Sequence, residues 1–149
     1  MKILYCVQLT GNGHVTRANE LIPVFKKVAK VDVLTSGNQN SLEIKEKVNF
    51  KFRGLSFVFG SRGGVDIFKT ILNLRPFTFI NDVFNLQVKN YDLIINDFEP
   101  VSAWACKFRG VPCYSMSRQF SLLQKNSFNK VKPKLYEFLI LKYFAPSIN

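Results

Sequence analysis

The chain opens with an apolar run, Lys2 to Gln8 (KILYCVQ), that leads into the turn Gly11-Asn12-Gly13-His14. A short apolar run bounded by a turn is the mark of a strand buried on both faces. Beyond the turn, Ala18, Leu21, Ile22, Phe25, Val28 and Ala29 recur at helical spacing. Arg17, Glu20, Lys26, Lys27 and Lys30 fall largely off that face, and Pro23 predicts a kink or a restart of the helix. Val31 to Thr35 then reads as a second strand, closed by Ser36-Gly37-Asn38. Strand, glycine turn, helix, strand is a βαβ unit, and it commits the chain to a parallel sheet.

The alternation continues less regularly. Val48 to Phe52 and Leu55 to Phe59 read as strands, the second ending at Gly60-Ser61-Arg62-Gly63-Gly64. Val65 to Leu74 and Phe77 to Lys89 read as helices split by Arg75-Pro76. Tyr91 to Ile95 is a buried strand followed by Asn96-Asp97-Phe98-Glu99-Pro100. A helix from Val101 to Arg109, closed by Gly110, precedes a strand from Pro112 to Met116. Lys132 to Phe144 forms the last helix, with Pro133 near its start and Pro146 after its end. This pattern predicts an α/β domain: a Rossmann-like, mostly parallel sheet with helices on both faces. Ligands of such sheets bind beyond the carboxyl ends of the strands. Three loops meet that condition: Leu9 to His14, Asn96 to Pro100, and Ser117 to Phe120.

The length of 149 residues suits one domain, and 47% hydrophobic residues, fifteen of them Phe, supply an ample core. No apolar run reaches the ~18 residues of a membrane span. The first residues lack the features of a signal peptide, so a cytoplasmic protein is expected. Cys6, Cys106 and Cys113 show no metal-ligand spacing and read as buried hydrophobes in a reducing compartment.

The net charge of +11 attracts anions: phosphorylated ligands, anionic lipid headgroups or nucleic acid. Much of it lies at Lys107, Arg109, Arg118, Lys125, Lys130, Lys132, Lys134 and Lys142, where Glu137 is the only acidic residue. Any one of these also fits a solvated basic face. Aromatic and basic residues form no recognisable single-strand-binding motif, and a nucleic-acid role is not expected.

Gly11 and Gly13 give the backbone freedom for a tight turn and for close approach of a ligand. The helix N-terminus behind them offers N–H groups to an anion, and Arg17 adds a full charge. Thr16 stands where a dinucleotide fingerprint has its third glycine, and no Lys-Ser/Thr pair makes a P-loop. The turn therefore reads either as a ligand loop or as a sharp structural turn. His14 is the only histidine, placed where a general base would remove a proton from a hydroxyl. Asp97 and Glu99, alternating along an extended loop, point to one side. There they bind sugar hydroxyls or orient His14 as a carboxylate does in a triad; the other reading is a cap for the helix after Pro100. No acidic or histidine cluster predicts a metal site.

Ile3-Leu4-Tyr5 running into Gly11-Asn12-Gly13-His14-Val15-Thr16-Arg17-Ala18 resembles the opening of GT-B glycosyltransferases. The likeness is to a bacterial and archaeal group loosely related to the lipid-linked N-acetylglucosaminyl transferase of peptidoglycan synthesis. Asn96 to Pro100, with Ala103-Trp104-Ala105 and Gly110-Val111-Pro112, is similar to that group's second signature. Gln119 matches an Asn-Gln or His-Gln pair, while Arg118 departs from it.

The resemblance implies that residues 1–149 are the N-terminal, acceptor-side half of a two-domain enzyme, with the donor-binding domain absent from this chain. It implies a nucleotide-sugar donor near the glycine turn, a hydroxyl acceptor, His14 as base, and no cofactor or essential metal. Catalytic roles then fall to His14 and Asp97, and substrate binding to Gly11, Asn12, Gly13, Arg17, Glu99 and Gln119. The domain alone is expected to be a poor catalyst. It reads as an excised domain, a truncated frame, or one subunit of a split enzyme with a partner chain. The apolar helix Leu135 to Phe144 is then a partner surface or packs on the domain's own sheet. A basic surface would hold the enzyme at an anionic membrane. The alternative is a non-catalytic subunit that docks acceptor or membrane.

Overall fold

The computed structural model describes residues 1–37, 41–55, 75–116 and 142–146. The strand from Leu55 to Phe59 except Leu55 itself, the turn at Gly60 to Gly64, the helix from Val65 to Leu74, the loop from Ser117 to Phe120 and most of the last helix lie outside the described residues. Lys142 to Phe144 are helical.

β1 (Lys2–Gln8) forms on the opening apolar run and is buried from its second residue onward. Among the described residues it lies at the centre of a five-stranded sheet of order β3-β2-β1-β4-β5, with β2 (Lys30–Ser36), β3 (Phe50–Phe52), β4 (Leu93–Asp97) and β5 (Tyr114–Ser115). Every pairing is parallel. The described helices cover both faces. α1 (Asn12–Lys26) packs Ala18 and Ile22 on Ile3, Tyr5, Val7, Val33 and Ile95. α2 (Pro76–Asn85) and α3 (Pro100–Arg109) close the other face over Leu4, Cys6, Leu34 and Ile94.

Several boundaries differ from the sequence reading. β3 holds only Phe50–Phe52 of the strand read from Val48. β4 runs Leu93–Asp97 rather than Tyr91 to Ile95, so Asn96 and Asp97 belong to the strand and not to the loop. α1 runs on through Pro23 without restarting and ends one turn later at Lys26; Val28 lies past its end and is 72% exposed. α2 stops at Asn85, and a short 3-10 turn takes up Val88–Asn90. Leu86 and Val88 are both buried, yet two residues apart on one helix they would face nearly opposite ways. The strand read from Pro112 to Met116 shortens to Tyr114–Ser115. α3 keeps its boundaries within a residue: Pro100 starts it, and Gly110 at φ 62° returns its N–H to Cys106 and Lys107.

Candidate functional site

The register sets Val7 of β1 beside Asp97, the last residue of β4, so Asp97 faces α1 from the carboxyl edge of the sheet. His14 stands in the first turn of α1 and its Nδ1 lies 2.8 Å from Asp97 Oδ1. Arg17, on the same helix face, donates from Nη1 to the same oxygen at 2.7 Å and to the Met116 carbonyl at 3.2 Å. The Asp97 side chain is fully buried, and its Oδ2 has no hydrogen-bond partner among the described residues. A carboxylate only accepts, so Nδ1 is the nitrogen that carries the proton in this pair, and in the neutral imidazole Nε2 is the one that holds the lone pair a base needs. The Tyr5 hydroxyl is also buried, with no partner among the described residues; burial first, then the Asp97 charge, pushes its ionisation well above the ordinary range.

Asp97 and Glu99 do not share a side. Phe98 between them takes φ 61°, a left-handed conformation that ends the alternation an extended loop would keep. Such a backbone costs about 1–3 kcal/mol in a bulky residue. Asp97 turns to α1, while Glu99 is buried at the start of α3. There Glu99 Oε1 accepts from the Val101 N–H at 2.8 Å, and Oε2 from the Ser102 N–H and hydroxyl, each at 2.6 Å. This is the helix-cap role weighed for it. Burial raises the Glu99 carboxyl above its usual range, against the Ser102, Ser36 and Val101 hydrogen bonds that lower it. Asn96 closes the turn by donating to the Glu99 carbonyl and Ser102 Oγ and accepting from the Glu99 N–H.

The glycine turn departs from its expected reason. Gly11 is extended (φ 179°), which any residue adopts, and Gly13 is absent from the positive-φ positions. A Cβ at either would meet nothing within 4 Å. Among the described residues, what the glycines leave is open space over an α1 N-terminus whose N-cap residue, Gly11, has no side chain to cap it. The Asn12 side chain is engaged by the protein: it accepts from the Ser41 and Leu42 N–H groups and pairs with Ser41 Oγ. Beside this clip a cleft of about 450 Å³ opens beyond β1, β2 and β3, lined by Leu9, Thr35, Gly37, Leu42, Glu43, Lys51 and neighbouring residues. His14 and Asp97 do not line it.

Of the predicted site residues, His14, Asp97 and Arg17 come together, Asn12 and Glu99 serve the scaffold, and Gln119 lies outside the described residues. Sequence reading passed over the buried pair Gln8 and Ser36, hydrogen-bonded at 2.6 Å, with Gln8 also donating to the Leu55 carbonyl. Polar residues ending two strands that read as buried were the available signal. Cys6, Cys106 and Cys113 are free and buried. Among the described residues no group of three or more His, Cys, Asp or Glu is placed to hold a metal ion, and no helix is long and apolar enough to cross a membrane.

A parallel sheet of this order, wrapped by helices and presenting side chains beyond its carboxyl edge, defines a Rossmann-like α/β domain, consistent with one half of a GT-B glycosyltransferase. The family model described as glycosyl transferase family 1 matches residues 1–138. The chain belongs to that family. No curated protein and no solved structure matches it significantly.

Proposed function

We propose that this chain forms the acceptor side of an enzyme that moves a sugar from a nucleotide-sugar to a hydroxyl of a lipid or saccharide, with His14 as general base. The observation that carries the reading is the 2.8 Å contact between His14 Nδ1 and the buried Asp97 carboxylate. His14 Nε2 takes the acceptor proton, the freed oxygen bonds to the anomeric carbon, and the bond from that carbon to the nucleoside diphosphate breaks. Asp97 holds the imidazolium that results. The uncapped α1 N-terminus at Gly11 and Gly13 suits the donor diphosphate. The cleft beside Asn12 offers room for part of the acceptor remote from its reacting hydroxyl, which lies outside the cleft at His14. A donor-binding domain, on the same polypeptide or on a partner chain, completes this scheme. The likeness of Gly11 to Ala18 and Asn96 to Pro100 to the lipid-linked transferase group supports a lipid-linked acceptor at the inner face of the membrane.

The test pairs the chain with a donor-binding domain and follows label from a panel of nucleotide-hexoses into lipid extracts and saccharides. His14→Ala is expected to lower turnover about 10²–10⁴-fold. Full turnover in that variant removes the proposed base.

A second reading, a non-catalytic subunit that docks on membrane, draws on an exposed aromatic ridge. Phe84 and Phe108 stack at 5.9 Å, Trp104 lies 5.4 Å from Phe108, and Lys107 sits over Trp104; Phe77 is 87% exposed. Aromatic rings with lysines beside them suit an anionic lipid interface. This reading expects sedimentation with phosphatidylglycerol vesicles that weakens with salt and with Phe84→Ser, and no transfer when the donor domain is supplied.

A further inference from the structure

Three aromatic rings stand in contact at the carboxyl edge of the sheet. The His14 imidazole lies nearly parallel to Phe98, with 11° between planes and 6.4 Å between centroids. Phe98 in turn stacks on Phe144 at 4.9 Å. Phe144 belongs to the segment 142–146, which is remote in sequence from both. Phe98, Ala103, Phe144 and Ala145 form a buried cluster with Leu55 against it, separate from the two cores that flank the sheet. A second tie fixes the segment, since Trp104 Nε1–H donates to the Tyr143 carbonyl at 3.1 Å. The 142–146 stretch is thus pinned to α3 and reaches the imidazole through one intervening ring.

Stability alone does not favour Phe98 at this position. Its φ of 61° belongs to the left-handed region that glycine and asparagine adopt most readily. Strain of this kind persists where the surroundings hold the residue, and it gathers at functional sites. Here the strained backbone delivers a ring that links His14 to Phe144. The hydrogen bond to Asp97 fixes one imidazole atom and leaves the ring able to pivot about it. A near-parallel, offset neighbour ring that is itself immobilised restricts that freedom.

We infer that Phe98 and Phe144 are positioning residues for His14: the 142–146 segment sets the plane of the imidazole through the stack, while Asp97 sets its Nδ1. The inference deepens the reading of His14 as the base, but the orientation of the ring is observable without any substrate.

His14 is the only histidine, so its imidazole resonances need no assignment by mutation. The experiment compares the full ¹⁵N-labelled chain with Phe144→Leu, Phe144→Tyr and Tyr143→Ala. Phe144→Leu keeps apolar bulk and removes the ring; the two carbon-bound imidazole protons are expected to shift and the Nδ1–H signal to broaden. Phe144→Tyr restores the resonances, and Tyr143→Ala, which keeps the carbonyl that Trp104 uses, leaves them in place. If Phe144→Leu does not fold, Phe144→Met, which also keeps apolar bulk and removes the ring, carries the same comparison. Unmoved imidazole signals in a folded Phe144→Leu chain with a lowered melting temperature overturn the inference and leave Phe144 a packing residue. Shifted signals together with full turnover in His14→Ala uphold the positioning and sink only the base.

Discussion

The His14 imidazole and the Asp97 carboxylate meet at 2.8 Å although they stand 83 positions apart in the chain. Parallel pairing of β1 with β4 brings them together, since Val7 and Asp97 are register partners at the edge where α1 begins. Asp97→Asn keeps the shape and removes the charge that steadies an imidazolium. Turnover is expected to fall about 10²–10⁴-fold with little change in KM. Because the two residues act as one unit, the double variant with His14→Ala should lose scarcely more than either alone. Additive losses in the reconstituted transfer assay would show that they act separately.

Gly11 and Gly54 offer opposite predictions for the same substitution. A Cβ on Gly54 would stand 2.7 Å from Ser36 Cβ and Oγ, and its φ of 59° is left-handed. Gly54→Ala is expected to destabilise the chain by about 1–3 kcal/mol, measured by urea unfolding. At Gly11 a Cβ meets nothing and the backbone is extended, so Gly11→Ala should unfold near the wild-type midpoint. If the donor diphosphate approaches that backbone, the same variant raises KM for the nucleotide-sugar. An unchanged KM would count against the turn as a donor contact.

The parts of the fold written in local chemistry were legible in the sequence. β1 reads from its apolar run, and α3 from Pro100 ahead of it and Gly110 behind. His14 and Asp97 were legible because a parallel sheet sends both to one edge. The rest depends on contacts between distant segments or on one backbone angle. The end of α2 is set by Leu86 and Val88 both entering the core. Asn12 is drawn to Ser41 and Leu42, an attachment no local pattern announces. The parting of Asp97 from Glu99 hangs on Phe98 at φ 61°, and phenylalanine gives no hint of a left-handed residue.

Arg17 joins three elements, running from α1 to Asp97 at the end of β4 and to the Met116 carbonyl just past β5. The Asp97 side chain is wholly buried while that of Arg17 is 27% exposed, so the buried partner suffers more when the pair is broken. Arg17→Met preserves the apolar stem and removes both bonds. A loss of about 1–3 kcal/mol is expected in denaturant titrations, with most of the effect persisting in high salt. Complete loss of the difference at high salt would mark the contact as an ordinary surface pair.

Glu99 carries the pH dependence. Its folded carboxyl is raised above the ordinary 4.5 by burial, against the hydrogen bonds that lower it. A group raised on folding contributes stability that is fully present below its unfolded value and is lost as pH climbs through its folded one. Glu99→Gln cannot titrate, and its amide also fails one of the N–H and hydroxyl donors at the start of α3, at a cost of about 0.5–2 kcal/mol. Other ionisable groups contribute equally to both chains and drop out of the comparison. The wild-type advantage over Glu99→Gln, from urea midpoints taken at steps between pH 4 and pH 7, should therefore be largest at the acid end and shrink as pH rises past 4.5. An advantage that instead grows toward neutrality would mean that the Val101 and Ser102 hydrogen bonds outweigh burial and hold Glu99 ionised in the folded chain.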